Sequence, residues 1–439
     1  MTQQMAPTQR ADHLVEVLDS LYPPPCRVVL TESSSTAAAR RLQGRQRLGR
    51  DAGPQRGEEL IAEFRIVPGL RRPRLLTPAR PRLAAAGLRS MSRPTSRAAQ
   101  LGLALGVVGM AVPGAASVLL PHRIRVYGPR GVDCFSQHVQ QALEHQGARV
   151  AGLAIHIGGP MRANRKPVMA LLDPAGRVLG FSKLGVSSLA RNLVRNERTA
   201  LRTLASSRLR HTRLPGLLHA GIWRDCEVIV QSALPVPRRA SLPRPGSTDP
   251  DVPALSMREV ARCCGVYGGP LASSPYWSTL RGRIAALHHG NALAGLADLI
   301  QSVAGDVSLQ YGAWHGDWTT WNSCQLDDRM LVWDWERFAV GVPLGFDALH
   351  CRIAGQLSRP ELTISDVLAV AQELTPFETR GREAAVTSAL HLLEIGVRYL
   401  ADGQRTGAAG TVLDRLLPAL AAHLYTGRLD APRTENGDA

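Results

Sequence analysis

Tyr311-Gly312-Ala313-Trp314-His315-Gly316-Asp317-Trp318-Thr319-Thr320-Trp321-Asn322, followed by Met330-Leu331-Val332-Trp333-Asp334-Trp335-Glu336, is the stretch that decides the fold. Asp317 and Asn322 lie five positions apart, on what reads as a loop following a helix. Asp334 ends an apolar strand, reached through a turn at Asp327-Asp328. A hairpin of that length returns Asn322 toward Asp334, so an amide carbonyl and a carboxylate converge. Such hard oxygen donors suit Mg²⁺. Asp317 is then left to accept a proton from a hydroxyl.

These residues resemble the catalytic and metal-binding loops of the aminoglycoside phosphotransferase/choline kinase superfamily. The pattern there is HGDxxxxN, a hydrophobic strand, then D-W/F-E/G. Here it stands as His315-Gly316-Asp317, Asn322 and Asp334-Trp335-Glu336. Protein kinases usually carry Arg where this chain has Gly316, and Phe-Gly after the second Asp. The resemblance spans about residues 150–400. It implies an α+β, bilobal, protein-kinase-like fold, with a small antiparallel-sheet N-lobe and a mostly helical C-lobe. It implies Asp317 and His315 as the catalytic pair, with His315 orienting the loop, and Asn322 and Asp334 as metal ligands. Asp347 matches a family aspartate that steadies the catalytic loop.

The upstream half of such a fold needs a strand lysine on the α- and β-phosphates and a helix glutamate to hold it. Lys183 lies on a strand and Glu197 fourteen residues further on, within a helix. Lys183 and Lys166 are the only lysines in a chain with 52 Lys+Arg. A lysine kept in so arginine-rich a chain marks a position that needs a compact ammonium. Gly158 and Gly159 fall between the first two strands of this half. There their backbone N–H groups are candidates for nucleotide phosphates. Gln231-Ser232-Ala233-Leu234 falls where the hinge holding the adenine edge is expected, through backbone groups.

Working outward, residues 1–130 form a basic N-terminal α/β extension that matches no motif. Residues 131–235 read as the N-lobe, 236–253 as a Pro/Arg/Ser-rich linker, 254–425 as the helical C-lobe and 426–439 as a disordered tail. Arg65–Arg97 holds nine arginines and no acid. It runs into Leu101–Leu120, which carries no charge. Leu101, Leu105, Val108 and Val112 recur there at helical spacing, as in a buried helix. Pro113 leaves too short a helix to span a bilayer. The arginine run and the apolar segment together suit peripheral contact with anionic lipid through residues 65–120.

Length, charge and cysteines bound the rest. The 439 residues suffice for two or three domains. The net charge of +16 is unevenly spread. Residues 271–439 carry 13 basic and 19 acidic side chains, a net of −6, so the remaining 270 carry +22. That split does not fit a uniformly basic nucleic-acid binder. Seven scattered cysteines with no CxxC pair fit reduced thiols in a cytoplasmic protein. Met1–Arg27 is polar and mixed in charge, unlike a signal peptide. The expectation is a Mg²⁺-dependent enzyme that moves the γ-phosphate of ATP or GTP to a hydroxyl of a small acceptor. Two other classes compete with it: a catalytically weak nucleotide-binding module, and a membrane-surface assembly protein acting through residues 65–120.

Overall fold

The computed structural model describes residues 7–31, 48–50, 53–70, 73–91, 97–112, 120–157, 164–236, 251–288, 290–354, 356, 363, 365–366, 381–403, 410 and 412–417. Gly158, Gly159, most of the expected linker and the expected tail lie outside these residues. In chain order the elements are α1 (Pro7–Leu21), β1 (Arg27–Thr31), β2 (Leu48–Arg50), β3 (Glu58–Val67), β4 (Leu75–Pro78), α2 (Pro81–Met91), α3 (Arg97–Ala111), β5 (Arg123–Pro129), α4 (Phe135–Glu144), β6 (Gly152–His156), β7 (Val168–Leu172), β8 (Val178–Gly185), α5 (Ser188–Ala205), β9 (Thr212–Arg213), β10 (Leu217–Trp223), β11 (Cys226–Ser232), α6 (Val252–Arg262), β12 (Tyr267–Pro270), α7 (Pro275–Ala285), α8 (Asn291–Ala304), β13 (Ser308–Trp314), β14 (Ser323–Leu326), β15 (Arg329–Val332), β16 (Ala339–Pro343), α9 (Phe346–Ala354) and α10 (Arg382–Ala401). The fold is α+β. Two compact units divide the chain. A sheet unit holds Gln3–Arg198 and Pro215–Ala240, and a helical unit holds Thr199–Leu214 and Ser241–Ala439.

The sheet unit is built on one ten-stranded sheet in the order β10-β11-β8-β7-β6-β4-β3-β5-β1-β2. The strands of residues 1–130 therefore continue the sheet that carries Lys183, joining it where β4 pairs with β6. Alternation along the strands sorts side chains onto two faces. On one face Leu153, Ile155, Met169 and Leu171 pack with Leu14, Leu18 and Leu21 of α1 and with Phe135 and Val139 of α4. On the other, Ala154, Ala170 and Leu172 meet the Ala84-Ala85-Ala86 run of α2. Small residues there let helix and sheet approach closely: a Cβ at Gly87 would lie 2.7 Å from that of Ala154.

The apolar helix α3 turns out differently from its expected burial. Leu101, Leu105 and Val108 are 63, 65 and 63% exposed, and Val112 is 48% exposed. The inward stripe is instead Leu103, Val107 and Met110. Both stripes have helical spacing, so the period could not choose between them. Gly106 lies on the buried side, where a Cβ would lie 3.3 Å from Leu88 Cδ2 of α2. That face seats closely on α2.

In the helical unit, α7, α8, α9 and α10 bury Trp277, Leu280, Leu296, Ile300, Phe346, Leu349, Leu390 and Leu393 in one core. Two small sheets cross it: β12-β13-β16, and β14-β15-β9. The loop carrying Asp317 follows β13, not a helix. Ser308 and Gln310 are exposed while Leu309 and Tyr311 are buried, a period of two that marks a strand. β14 and β15 form the expected hairpin, with Leu326 opposite Arg329 and Asp327-Asp328 between them. Asp327 takes the positive φ of 53° that a tight hairpin requires.

Candidate active site

In the helical unit the loop 315–322 is held from below by one buried carboxylate. Asp347, at the start of α9, accepts hydrogen bonds from the backbone N–H of His315 at 2.7 Å and of Gly316 at 3.1 Å. Burial drives the Asp347 carboxyl up to about 7, although the two N–H groups oppose that shift. Gly316 stands at φ +85°, and a Cβ there would lie 2.3 Å from the carbonyl oxygen of Arg337. Glycine at this position is thus a steric requirement of the 335–337 turn packed over the loop. Arg398 of α10 donates to the Gly316 carbonyl, closing the loop from the other side.

His315 is fully buried and acts as a spacer. Its Nδ1 accepts from the Asp317 N–H at 3.1 Å, so Nε2 carries the proton and donates to the Trp333 carbonyl at 3.1 Å. Burial, outweighing nearby Asp317 and Asp334, lowers its pKa to about 4. Trp335 lies edge-on to the ring at a centroid distance of 4.6 Å, and Trp318 at 5.9 Å. Both indoles are buried, whereas Trp321 is 55% exposed. Trp318 and Trp335 therefore pack the histidine, while Trp321 faces outward.

Asp317 is half-buried, with both carboxylate oxygens engaged. Asn322 Nδ2 donates to Oδ2 at 2.8 Å and to the Asp317 carbonyl at 3.0 Å. His350 Nε2 meets Oδ1 at 3.0 Å. Burial works against the charge on Asp317. The His350 bond, aided by nearby Arg398, outweighs it and holds the carboxyl below its ordinary range. Because the nitrogen of Asn322 is committed to Asp317, its amide oxygen is directed elsewhere. The hairpin closes beside it: the Trp333 N–H donates to the Asn322 carbonyl at 3.1 Å. The next residue, Asp334, sits in the left-handed region at φ 70°, ψ 52°. Non-glycine residues seldom adopt that conformation, and it is a common mark of a functional position.

Carboxylate oxygens of Asp334 and Glu336 lie within 4.8 Å of each other, and Glu336 is buried. Two acids so close favour a cation between or beside them. Glu336 was quoted from the sequence as part of D-W-E and given no role. His350 was missed altogether, because nothing in Phe346-Asp347-Ala348-Leu349-His350 marks its ring as facing Asp317 across the fold.

The sheet unit supplies the second cluster. Lys183 Nζ donates to both carboxylate oxygens of Glu197 at 2.6 Å, and both side chains are buried. The strand register explains a third member. Ile229 of β11 opposes Lys183 of β8, and Gln231 opposes Phe181. Gln231 thus shares Lys183's face two residues along, and its Nε2 donates to Glu197 Oε1 at 3.0 Å. The sequence had assigned Gln231 to a hinge working through backbone alone; its side chain braces the glutamate. Helix α5 is brought close by Gly185, where a Cβ would lie 2.7 Å from Arg191 Cα. Ser187 caps the helix by accepting the Ala190 N–H at 3.1 Å. Arg195 and Arg198 of α5 reach the buried Glu227 of β11 at 2.9 and 3.2 Å.

The strands run β6-β7-β8-β11-β10 with α5 inserted after β8, and the loop–hairpin–Asp unit lies among helices. The fold is α+β, and solved structures resemble it at a distance. A thermostable mutant of aminoglycoside phosphotransferase APH(4)-Ia matches 66% of this chain and 99% of its own at 16% identity, with a TM-score of 0.43. A putative fructosamine-3-kinase from Haemophilus somnus 129PT matches 64% and 96% at 14% identity, with a TM-score of 0.38. Spectinomycin phosphotransferase APH(9)-Ia, in complex with ADP and spectinomycin, matches 65% and 97% at 12% identity, with a TM-score of 0.38. No family model matches the sequence, and no curated protein does. Likenesses this distant add nothing to the chemistry, which rests on this chain's own side chains.

Proposed function

We propose that this protein is a phosphotransferase that moves the γ-phosphate of ATP or GTP to a hydroxyl of a small molecule. The observation that carries this reading is the Asp317–Asn322–Asp334 set on one loop and hairpin. Asn322 spends its amide nitrogen on Asp317 at 2.8 Å, which fixes the base and turns the amide oxygen away from it. Asn322 and Asp334, with Glu336 near Asp334, form an all-oxygen donor set that fits Mg²⁺. Bound there, the metal would neutralise charge on the nucleotide phosphates.

The chain's own groups do the rest. Asp317, held ionised by His350, orients the acceptor hydroxyl and takes its proton. His315 and Asp347 keep that carboxylate in register and do not react. Lys183, kept extended by Glu197 and Gln231, takes the α- and β-phosphates. Catalysis is then mostly positioning and charge neutralisation.

The metal assignment has a direct test. Nucleotide at about a hundred times its Kd stabilises the folded state by about 2.7 kcal/mol. Mg²⁺ with ATP or GTP should therefore raise the melting temperature of the wild type and leave Asp334→Ala unchanged. Equal stabilisation of both proteins would remove Asp334 from the metal site.

A further inference from the structure

We propose that α3 is a membrane-docking helix that lies flat on anionic lipid. Its outer face presents Leu101, Leu105 and Val108, 63–65% exposed, and Val112 just past its end, 48% exposed. Between them stand Gly102, Ala104 and Ala111, also exposed, and no residue from Ala98 to Val112 carries a charge. Isolated exposed leucines are unremarkable, but a contiguous uncharged helix face marks an interaction surface. The helix is anchored to the protein by its other face, through Leu103, Val107 and Met110. Its outer side chains are therefore held outward by packing, at no further ordering cost.

Charge selects the occupant. The helix on which α3 sits carries exposed Arg82 and Arg89, and exposed Arg74 and Arg80 lie just before it. No acid occurs between Arg65 and Arg97. A second copy docking here would bring two such arginine sets together with no acid from this segment to offset them. A bilayer rich in anionic headgroups offers the reverse: apolar depth for the leucine and valine side chains, and negative charge for the guanidinium groups. Fifteen helical residues measure about 22 Å, short of the ~30 Å hydrocarbon core. Among the described residues no helix is long and apolar enough to cross a membrane. The helix would lie on the surface, not span it.

Co-sedimentation of the full chain with vesicles tests this independently of the phosphotransferase reading. Vesicles of phosphatidylcholine alone are compared with vesicles holding about a quarter phosphatidylglycerol, at ~0.15 M salt. The wild type should pellet with the anionic vesicles only. Leu105→Asp should weaken that binding at least about tenfold, and Arg82→Gln with Arg89→Gln should also weaken it. Leu105→Gln, which adds no charge, serves if Leu105→Asp lowers the melting temperature. Wild type left in the supernatant, or pelleting indifferent to Leu105, would overturn the proposal. So would a wild-type dimer in the absence of lipid that Leu105→Asp converts to monomer, since that assigns the face to a second copy.

Discussion

Gly316 shows how far a single residue's geometry carries chemistry. Its N–H is held by Asp347, its carbonyl by Arg398, and its α-carbon faces the Arg337 carbonyl with no room for a methyl group. The residue on either side is His315, which sets the loop, and Asp317, which the reading makes the base. Gly316→Ala would combine a strained positive φ with a backbone clash. We expect a loss above about 2 kcal/mol, seen as a melting temperature lower by several degrees. A melting temperature equal to wild type would mean that the 335–337 turn yields easily and does not position the loop. Asn322 makes the same point in polar form: which amide atom faces Asp317 decides which atom is left for a metal.

At the scale of elements, the strand β8 and helix α5 work as one device. Gly185 and Ser187 start the helix close to the strand, and the Lys183–Glu197–Gln231 contacts tie the two together. Breaking one partner of a buried ion pair costs about 3–5 kcal/mol because a charge is left uncompensated. Lys183→Arg keeps the charge but widens the head and spreads its donors, so both short bonds to Glu197 cannot persist. We expect nucleotide affinity at least about tenfold weaker, read by calorimetric titration. Unchanged affinity would make Lys183 a structural ion pair only.

This is also where sequence reading succeeds and fails. Lys183 and Glu197 were legible because an ammonium in an arginine-rich chain and a glutamate at helical distance are both unusual. The β14–β15 hairpin was legible because Asp327-Asp328 interrupts two apolar runs. His350 and Gln231 were not, because their partners are set by tertiary packing and strand register. The face of α3 was misread because an all-apolar helix has no polar side to point outward. Gly106, on the buried side, lies close against Leu88 of α2.

For the whole molecule, the buried histidines set the response to acid. His315, His350 and His391 sit in the helical unit and His13 in the sheet unit, and burial lowers the pKa of each. His315 protonates near 6.5 when unfolded and only at about 4 when folded. The unfolded chain binds more protons in that window, so stability falls as pH drops through it, on the order of 3 kcal/mol by its lower end. Asp347 acts in the opposite sense. Its carboxyl is raised from 3.8 to about 7, so the folded state binds more protons between those values and gains stability as pH falls. Four buried imidazoles outweigh one carboxyl, and urea unfolding should show lower stability at pH 5 than at pH 7. His391→Leu should narrow the gap, since neither nitrogen of His391 has a hydrogen-bond partner to lose. A stability that rises toward pH 5 would contradict this balance.

The central claim is that Asp317 serves phosphoryl transfer to a hydroxyl. Phosphorus NMR of the protein with Mg²⁺ and ATP or GTP, over a pool of aminoglycosides, choline-like amines, sugars and amino alcohols, tests it most directly. The wild type should produce nucleoside diphosphate and a new phosphate monoester; slow transfer to water gives the same comparison where no pooled acceptor is used. Asp317→Asn keeps the side-chain shape but cannot take the proton. It should turn over at least about a hundredfold more slowly while keeping its nucleotide-induced thermal stabilisation. Nucleotide consumed at equal rates by the wild type and a well-folded Asp317→Asn protein would contradict the account.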